Sequence, residues 1–209
     1  KRLADLSRAG TLKTFRYLHL ATHGVPDPQR PMRSRLILSR DRLPATTDQL
    51  LADGQVYRGE LTAGQILEDW TLDADLVVLS ACQSGLGRFA GGEGYLGFAQ
   101  ALLLSGARSL LLSLWEVDDK ATALLMTRFY ENLLGARRGL KRALPRARAL
   151  AEARRWLKTL TAAQVETMTA AWRDGRPLET IDTDGTGGDD SPYAHPVFWA
   201  AFILVGDPG

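Results

Sequence analysis

Two stretches of the chain run an apolar segment into a side chain capable of acid–base or nucleophilic chemistry and then into small residues. They are Leu18-His19-Leu20-Ala21-Thr22-His23-Gly24 and Val77-Val78-Leu79-Ser80-Ala81-Cys82-Gln83-Ser84-Gly85. A free thiol is a weak nucleophile near its ordinary pKa of about 8.5, and a neighbouring imidazole or helix N-terminus raises its thiolate fraction. If the two apolar segments are adjacent parallel strands, His23 and Cys82, the single cysteine of the chain, come to one sheet edge as base and thiol. That is the arrangement thiol catalysis requires. Gly24 and the Gln83-Ser84-Gly85 stretch let backbone N–H groups approach a substrate carbonyl and hold its oxyanion. Taken singly, Cys82 reads as a small buried hydrophobe and His23-Gly24 as a turn; the pairing of the two segments favours chemistry.

Positioning such a pair is the work of an α/β sheet. Alternation from Arg16 to Thr22 and from Arg35 to Ser39 predicts strands, and the continuous apolar runs Leu76 to Ala81 and Ser109 to Leu114 predict strands buried on both faces. Between the last two, Gly94 to Leu104 has helical spacing with Gly106 in the stop position, which makes a parallel crossover. Thr62-Ala63-Gly64-Gln65 is spaced as a capping box and opens a short helix to Glu68. Asp118 or Asp119 caps a helix from about Lys120 to Leu134 that buries Leu124, Leu125, Phe129 and Leu133. Pro145 opens another to about Lys158, and Thr161 to Trp172 a further one. A long loop from Asp174 to Pro192 precedes a last strand, Val197 to Val205, near whose start stands His195. In parallel α/β sheets ligands bind beyond the carboxyl ends of the strands, where His23 and Cys82 both fall.

Leu20-Ala21-Thr22-His23-Gly24, Leu79 to Gly85, Gly92-Glu93-Gly94 and Ser113-Leu114-Trp115-Glu116-Val117-Asp118-Asp119 occur in that order. They are joined by Leu125-Met126 with Phe129-Tyr130, and by His195-Pro196 with Trp199-Ala200-Ala201-Phe202 and Gly206-Asp207. With these motifs the chain resembles the CHAT domains, a family of caspase-like cysteine peptidases related to separase, from about residue 15 to the end. The resemblance implies a three-layer sandwich, with a mostly parallel central sheet and helices on both faces, forming one domain over residues 1–209. It also implies that strands and a helical-repeat or sensor region precede Lys1 in a longer protein. By resemblance, Cys82 attacks the scissile carbonyl, His23 protonates the leaving amine, and the backbone N–H groups of Gly24 and Cys82 hold the oxyanion. Caspases carry glutamine, and some plant and fungal relatives aspartate, two residues before the nucleophile; Ser80 stands there in this chain, which argues against both specificities. Separases use acidic residues after the cysteine helix near a basic P1 side chain, which makes Asp118 and Asp119, with Ser80, candidate substrate contacts. The activity implied is a cysteine endopeptidase of regulated bacterial signalling or antiphage defence, with a protein substrate and a TPR-like or sensor partner. The competing reading is a catalytically silent interaction module.

Composition narrows the alternatives. With 209 residues, 45% hydrophobic and 24% charged, the chain suits one ordinary globular core. No apolar run reaches the roughly 20 residues of a membrane span, and one cysteine cannot form an internal disulfide, so a reducing, cytoplasmic setting is expected. A net charge of +2 is too mild to imply nucleic acid. Charge is nevertheless uneven, basic from Arg137 to Lys158 and acidic from Asp174 to Asp190, which reads first as a solvated helix face, the alternatives being that the two stretches face each other or that the basic one docks an acidic or RNA-bearing partner. No cofactor is expected, and three histidines and one cysteine without ligand spacing argue against a catalytic zinc. Gly92-Glu93-Gly94-Tyr95-Leu96-Gly97, with Glu116 beyond it, matches a dinucleotide fingerprint. It stands too far past the preceding strand for that role and reads instead as a substrate loop. Leu43 to Thr47 is an accidental likeness to a sortase signal.

Overall fold

The computed structural model describes residues 2–41, 43–54, 56–81, 93–183 and 191–209. Two compact units are formed, Lys1–Glu116 with Val205–Asp207, and Val117–Leu204 with Pro208–Gly209. The first contains α1 (Arg2–Arg8), β1 (Tyr17–Val25), β2 (Arg35–Ile37), α2 (Thr46–Asp53), β3 (Glu60–Thr62), α3 (Ala63–Asp69), β4 (Leu76–Ala81), α4 (Glu93–Leu104) and β5 (Ser109–Ser113). The second contains α5 (Asp119–Leu134), α6 (Arg146–Thr159) and α7 (Ala162–Arg173), and β6 (Phe202–Gly206) runs from it into the first.

The sheet has the order β3-β2-β1-β4-β5-β6. Pairing is parallel between β1 and β4 and between β4 and β5, but antiparallel between β1 and β2 and between β2 and β3. The sheet is therefore mixed, not mostly parallel as expected. The cause lies in the β1–β2 connection, which is too short to hold a crossover helix and must turn back as a hairpin. Its turn is built by Asp27, whose carboxylate accepts the backbone N–H groups of Gln29 and Arg30 at 3.2 and 2.9 Å, while the Asp27 N–H donates to Ser34 Oγ at 3.0 Å.

Where apolar runs are continuous, expectation and structure coincide. β4 covers the predicted span; its Leu76, Val77, Val78 and Leu79 are wholly buried. Thr62 and Gln65 make the capping box of α3 reciprocally, the Gln65 N–H donating to Thr62 Oγ1 at 3.1 Å and the Thr62 N–H to Gln65 Oε1 at 2.9 Å. At the opposite end of the sheet from His23, the Arg16 guanidinium bridges to Asp75 at 2.6 Å and the Asp75 N–H donates to the Arg16 carbonyl at 2.8 Å, holding the start of β4 against β1.

Two glycines are demanded by close approach. Gly106 ends α4 with φ +112°, and a Cβ there would lie 2.1 Å from the Leu72 carbonyl oxygen. Gly94 to Gly97 belong to α4 rather than to a substrate loop, and Gly92 lies outside the described residues. Gly97 seats α4 on the turn Pro31–Arg33, where a Cβ would come within 2.1 Å of the Pro31 carbonyl oxygen. The Pro31 backbone cannot yield without shifting the β1–β2 connection. Gly97→Ala is expected to cost about 3 kcal/mol of stability through overpacking; a denaturation midpoint equal to that of the parent protein rules this out.

The second unit bears out the predicted helices. Asp118 caps α5, accepting the Ala121 N–H at 2.9 Å, and Leu124, Leu125, Phe129 and Leu133 are buried. Thr161 and Gln164 form a second capping box at the start of α7. The last strand begins at Phe202, later than expected, because His195 Nδ1 accepts the Val197 N–H at 3.2 Å and closes a 3-10 turn over Pro196–Phe198. Pro196 has no N–H to give to a sheet ladder at that point.

Among the described residues the basic and acidic stretches meet at Arg137 and Asp182, 4.0 Å apart, while Arg138 and Arg155 are exposed; the tighter network centres on Arg128 of α5. Arg128, 2% exposed, donates to Glu152 at 2.8 Å, to Asp182 at 2.9 Å and to Thr180 Oγ1 at 3.0 Å, and its guanidinium lies 5.1 Å from the Trp156 ring centroid. Trp156 Nε1 donates to the Ile181 carbonyl at 2.7 Å, so the segment after α7 is strapped across α5 and α6. Burial pulls the Arg128 pKa down, but the hydrogen bonds to Glu152 and Asp182 outweigh it and hold the pKa above its ordinary value.

Candidate active site

β1 and β4 run side by side in register, from Tyr17 opposite Leu76 to Thr22 opposite Ala81. His23 is the next residue of β1. Cys82 follows Ala81 in sequence but lies, with residues 83–92, outside the described residues, and so does its backbone N–H. β1 does not end at His23 as expected; it continues to Val25, with His23 opposite Ile37 and Gly24 opposite Leu36 in the antiparallel pair. Thr22 Oγ1 donates to the Ile37 carbonyl, fastening this end of β1 to β2.

Strand alternation sends His19, Ala21 and His23 to one face. His23 and Ala21 are exposed, while burial lowers the pKa of the His19 imidazole, as suits a structural histidine. Gly24, on the other face, is buried. Among the described residues no group of three or more His, Cys, Asp or Glu is placed to hold a metal ion.

This open histidine, on a strand paired in parallel with the one leading to the single cysteine, comes with a family match along almost the whole chain. The sequence model of the CHAT domain matches residues 2–207. The chain belongs to the CHAT family. CHAT domains are caspase-like. Among curated proteins, tetratricopeptide repeat protein 28 of Mus musculus is 29% identical over 146 residues, 70% of this chain and 4% of that protein. The Homo sapiens protein of the same name is 28% identical over the same shares. This CHAT domain thus spans only about 4% of the length of the curated relatives it matches.

The remaining predicted contacts differ in availability. Ser80, opposite Ala21 on β4, is 7% exposed, and as a neutral side chain it supplies no charge. Asp118 is committed to capping α5 and also hydrogen-bonds Tyr193; Asp119, the first residue of the helix, is exposed. Burial, then the Asp118 charge and hydrogen bond, push the Tyr193 phenol up to about 12. Because the folded CHAT domain keeps this phenol protonated, its contribution to stability is complete below the ordinary tyrosine pKa of about 10 and is lost as pH rises from there to about 12. Alkaline titration followed by tyrosinate absorbance should show this late group, and Asp118→Asn should lower its midpoint; an unchanged midpoint refutes the coupling.

Sequence reasoning missed the residues that hold His23 in place, namely Thr22, Asp27, Ser34 and the Pro31–Gly97 contact. The Pro26-Asp27-Pro28 run was the available signal for the turn. Nothing in the sequence pairs Pro31 with Gly97, a contact made far apart along the chain.

Proposed function

We propose that this CHAT domain is a cysteine endopeptidase acting on a protein substrate through His23 and Cys82. The observation that supports the reading is the parallel pairing of β1 with β4, the strand that bears the exposed His23 beside the strand after which the sequence continues into Cys82. In this mechanism the Cys82 thiolate attacks the scissile carbonyl carbon, and the backbone N–H groups of Gly24 and Cys82 hold the resulting oxyanion. Collapse of the tetrahedral species breaks the C–N bond and leaves a thioester on Cys82, while His23 passes a proton to the departing amine. Water then hydrolyses the thioester, releasing the acid and restoring the thiol. The caspase-like three-layer arrangement belongs to the same proposal.

Substrate choice is proposed to rest on Asp119 more than on Asp118. A basic side chain that drew on Asp118 would have to compete with the Ala121 N–H and Tyr193 for its carboxylate. Ser80 gives no charge to read. The setting proposed is cytoplasmic, in a regulated bacterial signalling or antiphage pathway with control by a tetratricopeptide-repeat or sensor module. Likeness to a curated protein named for its tetratricopeptide repeats supports that control. Among the described residues no helix is long and apolar enough to cross a membrane.

The test is cleavage of a peptide library by the protein, with a thiol-directed activity probe alongside. Cleavage and labelling that both depend on Cys82 support the peptidase. Absence of both in the full protein together with its regulatory partner favours a silent interaction module.

A further inference from the structure

The second unit carries a cleft of about 650 Å³, formed by the α5–α6 connection, the flank of α6 and residues 182–183. Its size falls within the roughly 300–1,000 Å³ of small-molecule sites. The lining is dominated by cations, which fall into two groups. Arg128 and Arg137 are held within the protein, Arg137 Nη1 donating to Glu152 at 2.7 Å with Asp182 at 4.0 Å. These two cations are balanced by those two carboxylates. Arg138, Arg155 and Lys158 have no carboxylate within salt-bridge distance among the described residues; Lys158 Nζ lies over the Trp199 ring at 4.4 Å, and Arg138 and Arg155 are exposed. Among the described residues the cleft thus keeps three positive charges without a carboxylate partner.

We propose that this cleft binds a small phosphate-bearing polyanion through Arg137, Arg138, Arg155 and Lys158. Guanidinium forks match phosphate oxygens two at a time, and several cations converging on one concave site exceed what a single carboxylate needs. Confinement of the cations to one short patch favours a compact ligand over an extended strand of nucleic acid, which requires a groove that tracks its backbone. Fixing Arg137 through Glu152 lowers the ordering cost of binding. The site is separate from the peptidase reading and does not require the thiol.

Titration calorimetry on the full protein, in a buffer of about 0.15 M ionic strength, tests it with inorganic tripolyphosphate, ATP and sulfate at matched ionic strength. Saturable one-to-one binding of tripolyphosphate is expected, weakened at least about tenfold by Arg138→Ser/Arg155→Ser and independently by Lys158→Ser. All three side chains lie outside the Arg128 network, so thermal denaturation should be unchanged in Arg138→Ser/Arg155→Ser and only slightly lowered in Lys158→Ser, which loses its contact with the Trp199 ring. Equal affinity for tripolyphosphate and ATP assigns recognition to the phosphates, and tighter ATP binding adds the nucleoside; both support the site. The proposal is overturned if sulfate binds as tightly, if the variants bind as well as the parent protein, or if a peptide of residues 184–190, the acidic segment after Thr183, binds more tightly than tripolyphosphate. The same titration on Cys82→Ala gives the same result if the cleft acts as proposed, whether or not the protein proves to be a peptidase.

Discussion

Cys82→Ala should remove peptide cleavage by at least about a thousandfold while leaving the protein folded, because loss of the nucleophile eliminates the acyl-enzyme route altogether. Removal of a sulfur atom leaves the β1–β4 register and the Arg16–Asp75 clamp intact, so the denaturation midpoint should barely move. His23→Ala should cost a similar factor, since a base and acid that act on one nucleophile form a unit and their losses do not add. The double variant should accordingly be no worse than either single one. Steady-state cleavage of the best library peptide decides the matter. Undiminished turnover by cleanly purified Cys82→Ala would sink the dyad, and additive losses in the double variant would mean that His23 and Cys82 act separately. His23 is exposed and makes its sheet contacts through the backbone, so alanine there reports on chemistry more than on folding.

The second large effect is structural. Arg128→Met should destabilise the second unit by about 3 kcal/mol, because it takes one cation from a buried pair and leaves Glu152 with Arg137 and the Asn132 amide as its remaining partners. The segment after α7 loses two of its attachments at the same time, those at Asp182 and Thr180. Chemical denaturation followed by tryptophan fluorescence is suited to this change, since Trp156 carries the Arg128 guanidinium on its ring and bonds the Ile181 carbonyl. Removing Glu152 as well, in Arg128→Met/Glu152→Met, should cost less than the two single losses together, by about 1 kcal/mol or more, because the residues share one network. A single-variant loss under about 1 kcal/mol, or strict additivity, contradicts a network of this strength.

The elements legible in the chain were those whose signals are local. β4 and β5 are continuous apolar runs, α3 and α7 open on capping boxes, and α5 opens on an aspartate; each of these is settled within a few residues. The short elements escaped. β3 has three residues, and α1 and α2 have seven and eight, too few for a hydrophobic period to stand above noise. The expectation of a mostly parallel sheet, which the resemblance and the buried strands suggested, failed because β2 and β3 add themselves antiparallel at the edge through a hairpin turn set by Asp27.

For the candidate site, residue types and order along the chain were sufficient to nominate His23 and Cys82, and with them the family to which the chain belongs. Tertiary structure decided what composition cannot encode: that β1 and β4 are neighbours in a defined register, that the His23 face of β1 is open, and that Asp118 is occupied by Ala121 and Tyr193. It also decided that Gly97 must be glycine, since Pro31 lies against it. Reactivity and helix capping are properties of a residue and its near neighbours, and so can be read from sequence. Register, exposure and competition for a carboxylate depend on which distant segments are packed together, which is set by the burial of the whole core.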